Sequence, residues 1–373
     1  MTENINLNLQ NIIRQDIIDS PAYQVHSSIG MIKLDAMENP FILPENLQKG
    51  LAQHLSVVHL NRYPSPEDYQ TSVDIIRNYA DIHSDLDILL GNGSDEIISM
   101  LANLIPDNSY ILALSPSFVM YKASADIARL NFISIDLKSD DFNLDLEGMK
   151  NAIQKYNPRL IYLAYPNNPT GACFSKNDID EIIKFAPNSL IIIDEAYQAF
   201  TNNKTYMSSL PDIIKQYPNI LVMRTLSKIG LAGLRLGYIA GHKQIIQQLN
   251  KVRPPYNINV LTQASIEFLL SIQENIDTLN MQAQIICQQR IIMAEKLDEF
   301  GKVFNSDANF LLIRMNKDAN IVQNKLKEAG ILVKNVSNMH KNLHNCLRIS
   351  IGTLEENNKL LEWLKKIKVI VNI

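Results

Sequence analysis

A chain of 373 residues with 46% hydrophobic and 20% charged positions, 13 Gly and 15 Pro is neither disordered nor collagen-like, and its length predicts about two or three domains. The 35 Lys and Arg against 39 Asp and Glu leave a net charge of −4, so no global positive field exists to hold nucleic acid or an anionic membrane surface. Cys173, Cys287 and Cys346 are far apart, odd in number and without a CxxC pair, which fits a reducing compartment better than a disulfide framework. The polar, Asn-rich first ten residues predict no cleaved secretion signal, and no apolar run approaches the roughly 18 residues of a membrane helix. A soluble, cytoplasmic protein is expected.

From about residue 85 to 241, short apolar runs alternate with longer amphipathic stretches. The runs are Ile88–Leu90, Tyr110–Leu114, Phe132–Ile135, Leu160–Ala164, Leu190–Ile193, Ile220–Met223 and Leu236–Ala240. Runs this short and apolar on both faces suit strands of a mainly parallel sheet covered by helices, and segments such as Lys176–Phe185 have helical spacing. Pro64-Ser65-Pro66 reads as a rigid loop. After Arg253-Pro254-Pro255, the stretch from Val260 to about Phe300 has no Pro or Gly and predicts one or two long helices, with the Ile/Leu stripe of 266–279 facing a core or interface. Short runs at Phe310–Ile313, Ile331–Val333 and Leu347–Ile351, with helical segments at Ile321–Glu328 and Leu354–Ile367, complete a smaller α+β domain. The predicted architecture is α/β, with an N-terminal arm (1–35), a large domain (36–275) and a small C-terminal domain (276–373).

Ligands of an α/β sheet bind at the carboxyl ends of its parallel strands, so polar residues there are the first candidates. Gly91-Asn92-Gly93-Ser94-Asp95-Glu96, after one run and before the apolar helix 97–104, reads either as a phosphate seat at a helix N-terminus or as an ordinary capped turn. Tyr165-Pro166-Asn167-Asn168-Pro169-Thr170-Gly171 is either a plain turn or a rigid loop presenting an Asn amide. Asp194, ending the apolar run Ile191-Ile192-Ile193, is buried and needs a cationic or hydrogen-bonding partner; a metal is the rival, but neither a P-loop nor a His cluster accompanies it. Arg224-Thr225-Leu226-Ser227-Lys228 puts a lysine past a strand end, free to form a Schiff base with a carbonyl compound or simply solvated, and Ser227 and Arg235 are poised to hold a phosphate. His340, His344 and Cys346 have metal-ligand types, but their Asn-rich, loop-like setting lacks an acidic ligand and predicts no metal.

Taken in order, the phosphate loop, Asn loop, Asp strand, Ser-Lys pair and Arg235 resemble the fold-type I aminotransferases dependent on pyridoxal 5′-phosphate (PLP), over nearly the whole chain. The resemblance implies that Lys228 is the Schiff-base lysine and proton carrier, that Asp194 pairs with the pyridine nitrogen, and that Asn168 and Tyr197 bond the ring 3′-oxygen. It places Ser227, Arg235 and the N–H groups of Ser94 and Asp95 on the cofactor phosphate, and Phe118 against the ring, where many relatives carry Tyr. Arg348, in Cys346-Leu347-Arg348-Ile349-Ser350, matches the arginine that grips the substrate carboxylate.

Within this superfamily, Ala22-Tyr23, Lys33-Leu34-Asp35-Ala36-Met37-Glu38-Asn39-Pro40, Leu60-Asn61-Arg62-Tyr63-Pro64, Gly93-Ser94-Asp95-Glu96 and Leu231-Ala232-Gly233-Leu234-Arg235 are most similar to the histidinol-phosphate aminotransferases of histidine biosynthesis. That likeness implies a homodimer in which Tyr63 reaches the neighbouring subunit's cofactor phosphate, with Tyr23, Asn39, Lys334 and Arg348 on the substrate. The expected substrates are histidinol phosphate and glutamate or 2-oxoglutarate. Two features depart from the pattern: the Lys228 to Arg235 spacing is a residue shorter than in some relatives, and Lys334 stands where many have Arg, keeping the charge but losing the bidentate fork. An aromatic or broad-specificity aminotransferase and a PLP-dependent phosphothreonine decarboxylase share these motifs. A PLP-binding regulator is disfavoured, because no helix-turn-helix or basic stripe accompanies the domain.

Overall fold

The computed structural model describes residues 9–20, 22, 27–201 and 205–370. Among them, strands β1 (Ile32–Leu34), β2 (Asp87–Asn92), β3 (Tyr110–Ser115), β4 (Asn131–Asp136), β5 (Leu160–Ala164), β6 (Leu190–Asp194), β7 (Ile220–Thr225), β8 (Leu236–Gly241), β9 (Gly301–Val303), β10 (Phe310–Met315), β11 (Ile331–Asn335) and β12 (Cys346–Ser350) form two sheets. The larger has the order β2-β8-β7-β6-β5-β3-β4 and the smaller β1-β11-β12-β10-β9.

All strands of the larger sheet except β8 run one way; β8 is antiparallel to both β2 and β7. Its reversal follows from the link 226–235, which is too short for the crossover of a dozen or more residues that a parallel return needs. The two faces of the central strands go to different cores. Leu160, Tyr162, Ala164 and Ile192 pack with Ile97, Ile98 and Leu101 of the helix Ser94–Leu104. Ile161, Leu163, Ile191 and Ile193 pack with Met149, Ile182, Met207 and Leu210 from the helices Leu146–Tyr156, Lys176–Phe185 and Tyr206–Gln216. Each such side chain contributes about 1.5–3 kcal/mol when fully buried, which is why these runs contain no polar alternation.

The smaller sheet pairs β10 antiparallel with β9 and β12, and β11 antiparallel with β12. β1 adds on parallel to β11, so a strand of this sheet comes from the segment preceding residue 35. The helices Gln273–Leu297, Ala319–Glu328 and Leu354–Ile370 supply Ile286, Met293, Val322, Leu326, Leu360 and Leu364 to its core. The Pro- and Gly-free stretch is two helices, Val260–Leu270 and Gln273–Leu297, and the Asn275 amide donates to the Phe268 carbonyl across the break. Pro64-Ser65-Pro66 is not merely a loop. Ser65 caps the helix Pro66–Tyr79 in a reciprocal capping box with Asp68, with Pro66 in the first turn, where its missing N–H costs nothing.

The Glu195–Arg224 ion pair, at 2.8 Å, ties the end of β6 to β7, and Glu195 also accepts from the Tyr206 backbone N–H. The Glu195 side chain is 1% exposed, so Glu195→Ala leaves a buried guanidinium and a backbone donor unsatisfied. The expected loss is about 3–5 kcal/mol of unfolding free energy, read as a lower denaturant midpoint at unchanged m-value.

Candidate active site

Parallel strands put their carboxyl ends on one edge, and the reversed β8 puts its beginning there. Ser94 follows β2, Phe118 follows β3, Asn168 follows β5, Asp194 ends β6, Lys228 follows β7 and Arg235 precedes β8. Topology alone therefore delivers these residues to one edge from six places in the sequence.

The anion seat is the start of the helix Ser94–Leu104. Its N-cap is Gly93 at φ +82°, with no side-chain cap on the first N–H groups. A Cβ at Gly93 would lie 2.5 Å from the Arg235 guanidinium, and one at Gly237 would lie 2.6 Å from the Ser94 nitrogen. Glycine is needed at position 93 for its positive φ and at position 237 for β8 and the helix start to approach this closely. Arg235 Nη2 pairs with Asp95 Oδ2 at 3.2 Å, holding the guanidinium beside the seat. Ser227 is buried, and Thr225 fixes it: the two hydroxyls lie 2.9 Å apart and the Ser227 N–H donates to Thr225 Oγ1.

Lys228 is half-buried, and its burial pushes the ammonium down to about 8; the Arg348 guanidinium adds to the shift, while Asp95 and Glu38 oppose it. Its Nζ lies 5.6 Å from the centroid of the Tyr197 ring. Asp194 is more enclosed, and buried. Burial pushes its carboxyl up to about 6, against the pull of the Tyr121 hydroxyl, 2.7 Å from Oδ2, and of the Ala196 N–H on Oδ1. Among the described residues no ion-pair partner meets it. A buried carboxyl of this kind is completed by a cation. The Tyr197 hydroxyl donates to Met37 Sδ at 3.2 Å, and burial raises the phenol well above its usual range.

The second sheet supplies the far wall. Arg348, 7% exposed, donates through Nη1 to Asn168 Oδ1 at 2.7 Å and through Nη2 to the Asp35 carbonyl at 2.7 Å. Lys334 is its cross-strand partner, directly opposite on β11, so both side chains leave the same face of the sheet. Asn39 bonds Gln282 at 3.1 Å and lies 3.2 Å from where a Cβ on Gly230 would be, two residues beyond Lys228. Phe118 is half-buried and packs edge-on against Tyr121 at 5.7 Å.

One expected residue, Tyr63, is not brought into this cluster. Tyr63 is 77% exposed and stacks on Tyr256 at 4.4 Å, on the outer surface of the subunit. Tyr23 lies outside the described residues. His340 is committed elsewhere, 3.0 Å from Asp136 Oδ1, and among the described residues no group of three or more His, Cys, Asp or Glu could hold a metal. Sequence reasoning passed over Tyr121, Thr225 and Gln282, each of which touches a site residue. The available signal was position: Tyr121 lies three residues after Phe118, one helical turn away.

The residues present fit PLP: an uncapped helix start with Arg235 for its phosphate, a depressed amine for its aldehyde, and a buried carboxyl without a cation for its ring nitrogen. The cofactor is pyridoxal 5′-phosphate, and fold and site together define an aminotransferase. Residues 29–364 match the family Aminotransferase class I and II. Histidinol-phosphate aminotransferase 1 of Burkholderia mallei is 45% identical over 359 residues, 95% of this chain and 98% of that protein. The crystal structure of the histidinol-phosphate aminotransferase from Clostridium acetobutylicum superposes with a TM-score of 0.80 at 26% identity, over 90% of this chain and 99% of that one. A Sinorhizobium meliloti histidinol-phosphate aminotransferase in complex with PLP shares the fold, with a TM-score of 0.79 at 20% identity over 95% and 98% of the two chains. The chain belongs to the histidinol-phosphate aminotransferase family.

Capture of PLP by the apoprotein needs the neutral Lys228 amine. Its rate should rise with pH to a midpoint near 8 and then level off. In Arg348→Ala, which removes a repelling cation, the midpoint should move up. Stopped-flow absorbance checks both, and borohydride should fix no cofactor to Lys228→Ala.

Proposed function

We propose that the chain transfers the amino group of L-histidinol phosphate to 2-oxoglutarate, giving imidazole acetol phosphate and L-glutamate in histidine biosynthesis. The observation that carries this reading is the cross-strand pairing of Lys334 with Arg348, two cations on one sheet face, with Arg348 bonded directly to the Asn168 loop of the lysine site. A substrate with two anionic ends in its two half-reactions, a phosphate in one and a carboxylate in the other, matches such a pair.

When bound, PLP supplies an electron sink for the carbanion formed at the substrate carbon. The chain's residues do the rest. Ser227, Arg235 and the first N–H groups of the helix at Ser94 and Asp95 hold the cofactor phosphate. Phe118 covers the ring face, and Asn168 and Tyr197 donate to its 3′-oxygen. Asp194 would accept the ring N–H and keep that proton in place. Lys228 Nζ, whose ammonium is lowered to about 8 by burial, would in its neutral form take a proton from the substrate carbon and return it to the neighbouring position. Arg348, oriented by Asn168 and the Asp35 carbonyl, grips the carboxylate of glutamate. Lys334, Asn39 and Tyr23 meet histidinol phosphate. In this reading residues 36–275 hold the cofactor and 276–373 the substrate anion.

The active form is a cytoplasmic homodimer. Val57, Leu60 and the stacked pair Tyr63 and Tyr256 are exposed apolar side chains that favour a second copy, and Tyr63 from that copy completes the phosphate seat. Among the described residues no helix is long and apolar enough to cross a membrane.

Lys334→Ala should lower kcat/KM for histidinol phosphate by about ten- to a hundredfold and leave unphosphorylated histidinol nearly unaffected, whereas Arg348→Ala should also impair the glutamate half-reaction. Single-turnover kinetics with each amine, and with phenylalanine and phosphothreonine alongside, measures this. Equal losses for histidinol and its phosphate would point to an aromatic aminotransferase instead.

Mixing Tyr63→Ala with Lys228→Ala, each inactive alone, should restore activity, because one site of the hybrid dimer then has both residues intact. No recovery after proven subunit exchange would place Tyr63 outside the partner's site.

A further inference from the structure

We propose that Tyr121 is a positioning residue for the reaction: its hydroxyl fixes the orientation of the Asp194 carboxylate and holds it in the charged form that the cofactor's ring nitrogen requires. This rests on the PLP reading of the site. The geometry is specific. Tyr121 is 1% exposed and its Oη donates to Asp194 Oδ2 at 2.7 Å, while the Ala196 N–H occupies Oδ1. Each carboxylate oxygen thus has one protein donor and keeps a lone pair for a further partner. The Tyr121 ring cannot swing, because it lies flat on Tyr162, with centroids 4.3 Å apart and planes 6° from parallel, and takes Phe118 edge-on at 5.7 Å. The same ring therefore fixes two contacts expected of the cofactor, the carboxylate that meets its nitrogen and the aromatic side chain that covers its face.

Burial alone favours the protonated, neutral carboxyl, and such a group accepts a ring N–H poorly. Other charged groups acting on Asp194 are Lys228, which favours the carboxylate, and Asp95, which disfavours it. Neither fixes a direction. The phenol does, and burial and the neighbouring carboxylate raise its own ionisation far out of the working range, so it remains a donor.

The test uses full-length Tyr121→Phe, which keeps the ring and removes the donor, combined with Asp194→Asn. In the apoprotein, the Asp194 carboxyl carbon, identified in a 13C-aspartate spectrum by its loss from Asp194→Asn, should titrate about one pH unit higher in Tyr121→Phe. An unchanged titration overturns the proposal, and this readout does not depend on cofactor binding. PLP affinity of the apoprotein should fall about tenfold in Tyr121→Phe but less than about twofold when the change is made in Asp194→Asn. Equal losses in both backgrounds would show that Tyr121 only supports packing and would also overturn it. The acid limb of the kcat profile should move up with the carboxyl, a shift that a loss of stability alone does not produce. If wild-type apoprotein takes up no PLP, the cofactor reading fails and the carbon titration still decides the role of Tyr121.

Discussion

The constraint on which this protein depends is directional: strands laid parallel must end on one side. Five apolar strands beside the reversed β8 carry their last residues to a single edge, where a phosphate seat, an amide, a carboxyl and a lysine meet although more than a hundred residues separate the first from the last. The reversal of β8 belongs to the same logic. A parallel strand there would carry Arg235 to the far edge, away from the helix start at Ser94 and from Asp95, its ion-pair partner.

Burial then supplies the chemistry. The water-excluding layer that packs Ile191, Ile192 and Ile193 also encloses Asp194 and Lys228, and low polarity moves both toward their neutral forms. For the lysine this is an advantage, since a neutral amine is the reactive one. For the carboxylate it is a cost, which the Tyr121 hydroxyl and the Ala196 N–H offset in part. One environment therefore activates one group and requires protection of the other.

Much of this was legible in the sequence. Every run singled out between 88 and 240 is a strand, because strands of a sheet covered by helices write themselves as short apolar stretches, the antiparallel β8 and the partly exposed edge strand β4 included. Strands β1 and β9 were not legible: three residues each carry no period, and their pairing partners lie far away in the chain. The helix after Ser65 was overlooked because two prolines drew the reading toward a loop, although Ser65 and Asp68 stand at capping-box spacing. In the site, Asp194, Ser227 and Lys228 sit in motifs with distinctive chemistry, whereas Tyr121, Thr225 and Gln282 bond site residues from behind and look in sequence like ordinary core or helix positions. The contact between Arg348 and Asn168, which joins the two sheets across 180 positions, has no local signature at all.

Gly91 and Gly237 face each other across the β2–β8 ladder, and neither has room for a methyl group: a Cβ on the first would lie 2.5 Å from Ile97 Cγ1 and one on the second 2.6 Å from the Ser94 nitrogen. For a protein drifting by single substitutions, this pair is a locked coordinate. A side chain at Gly237 meets the backbone of Gly93 and Ser94 and pushes the helix start outward, whereas one at Gly91 first meets the Ile97 side chain. The opposite wall, around β11 and β12, is freer: Lys334 can change there without moving the backbone around Gly93 and Ser94.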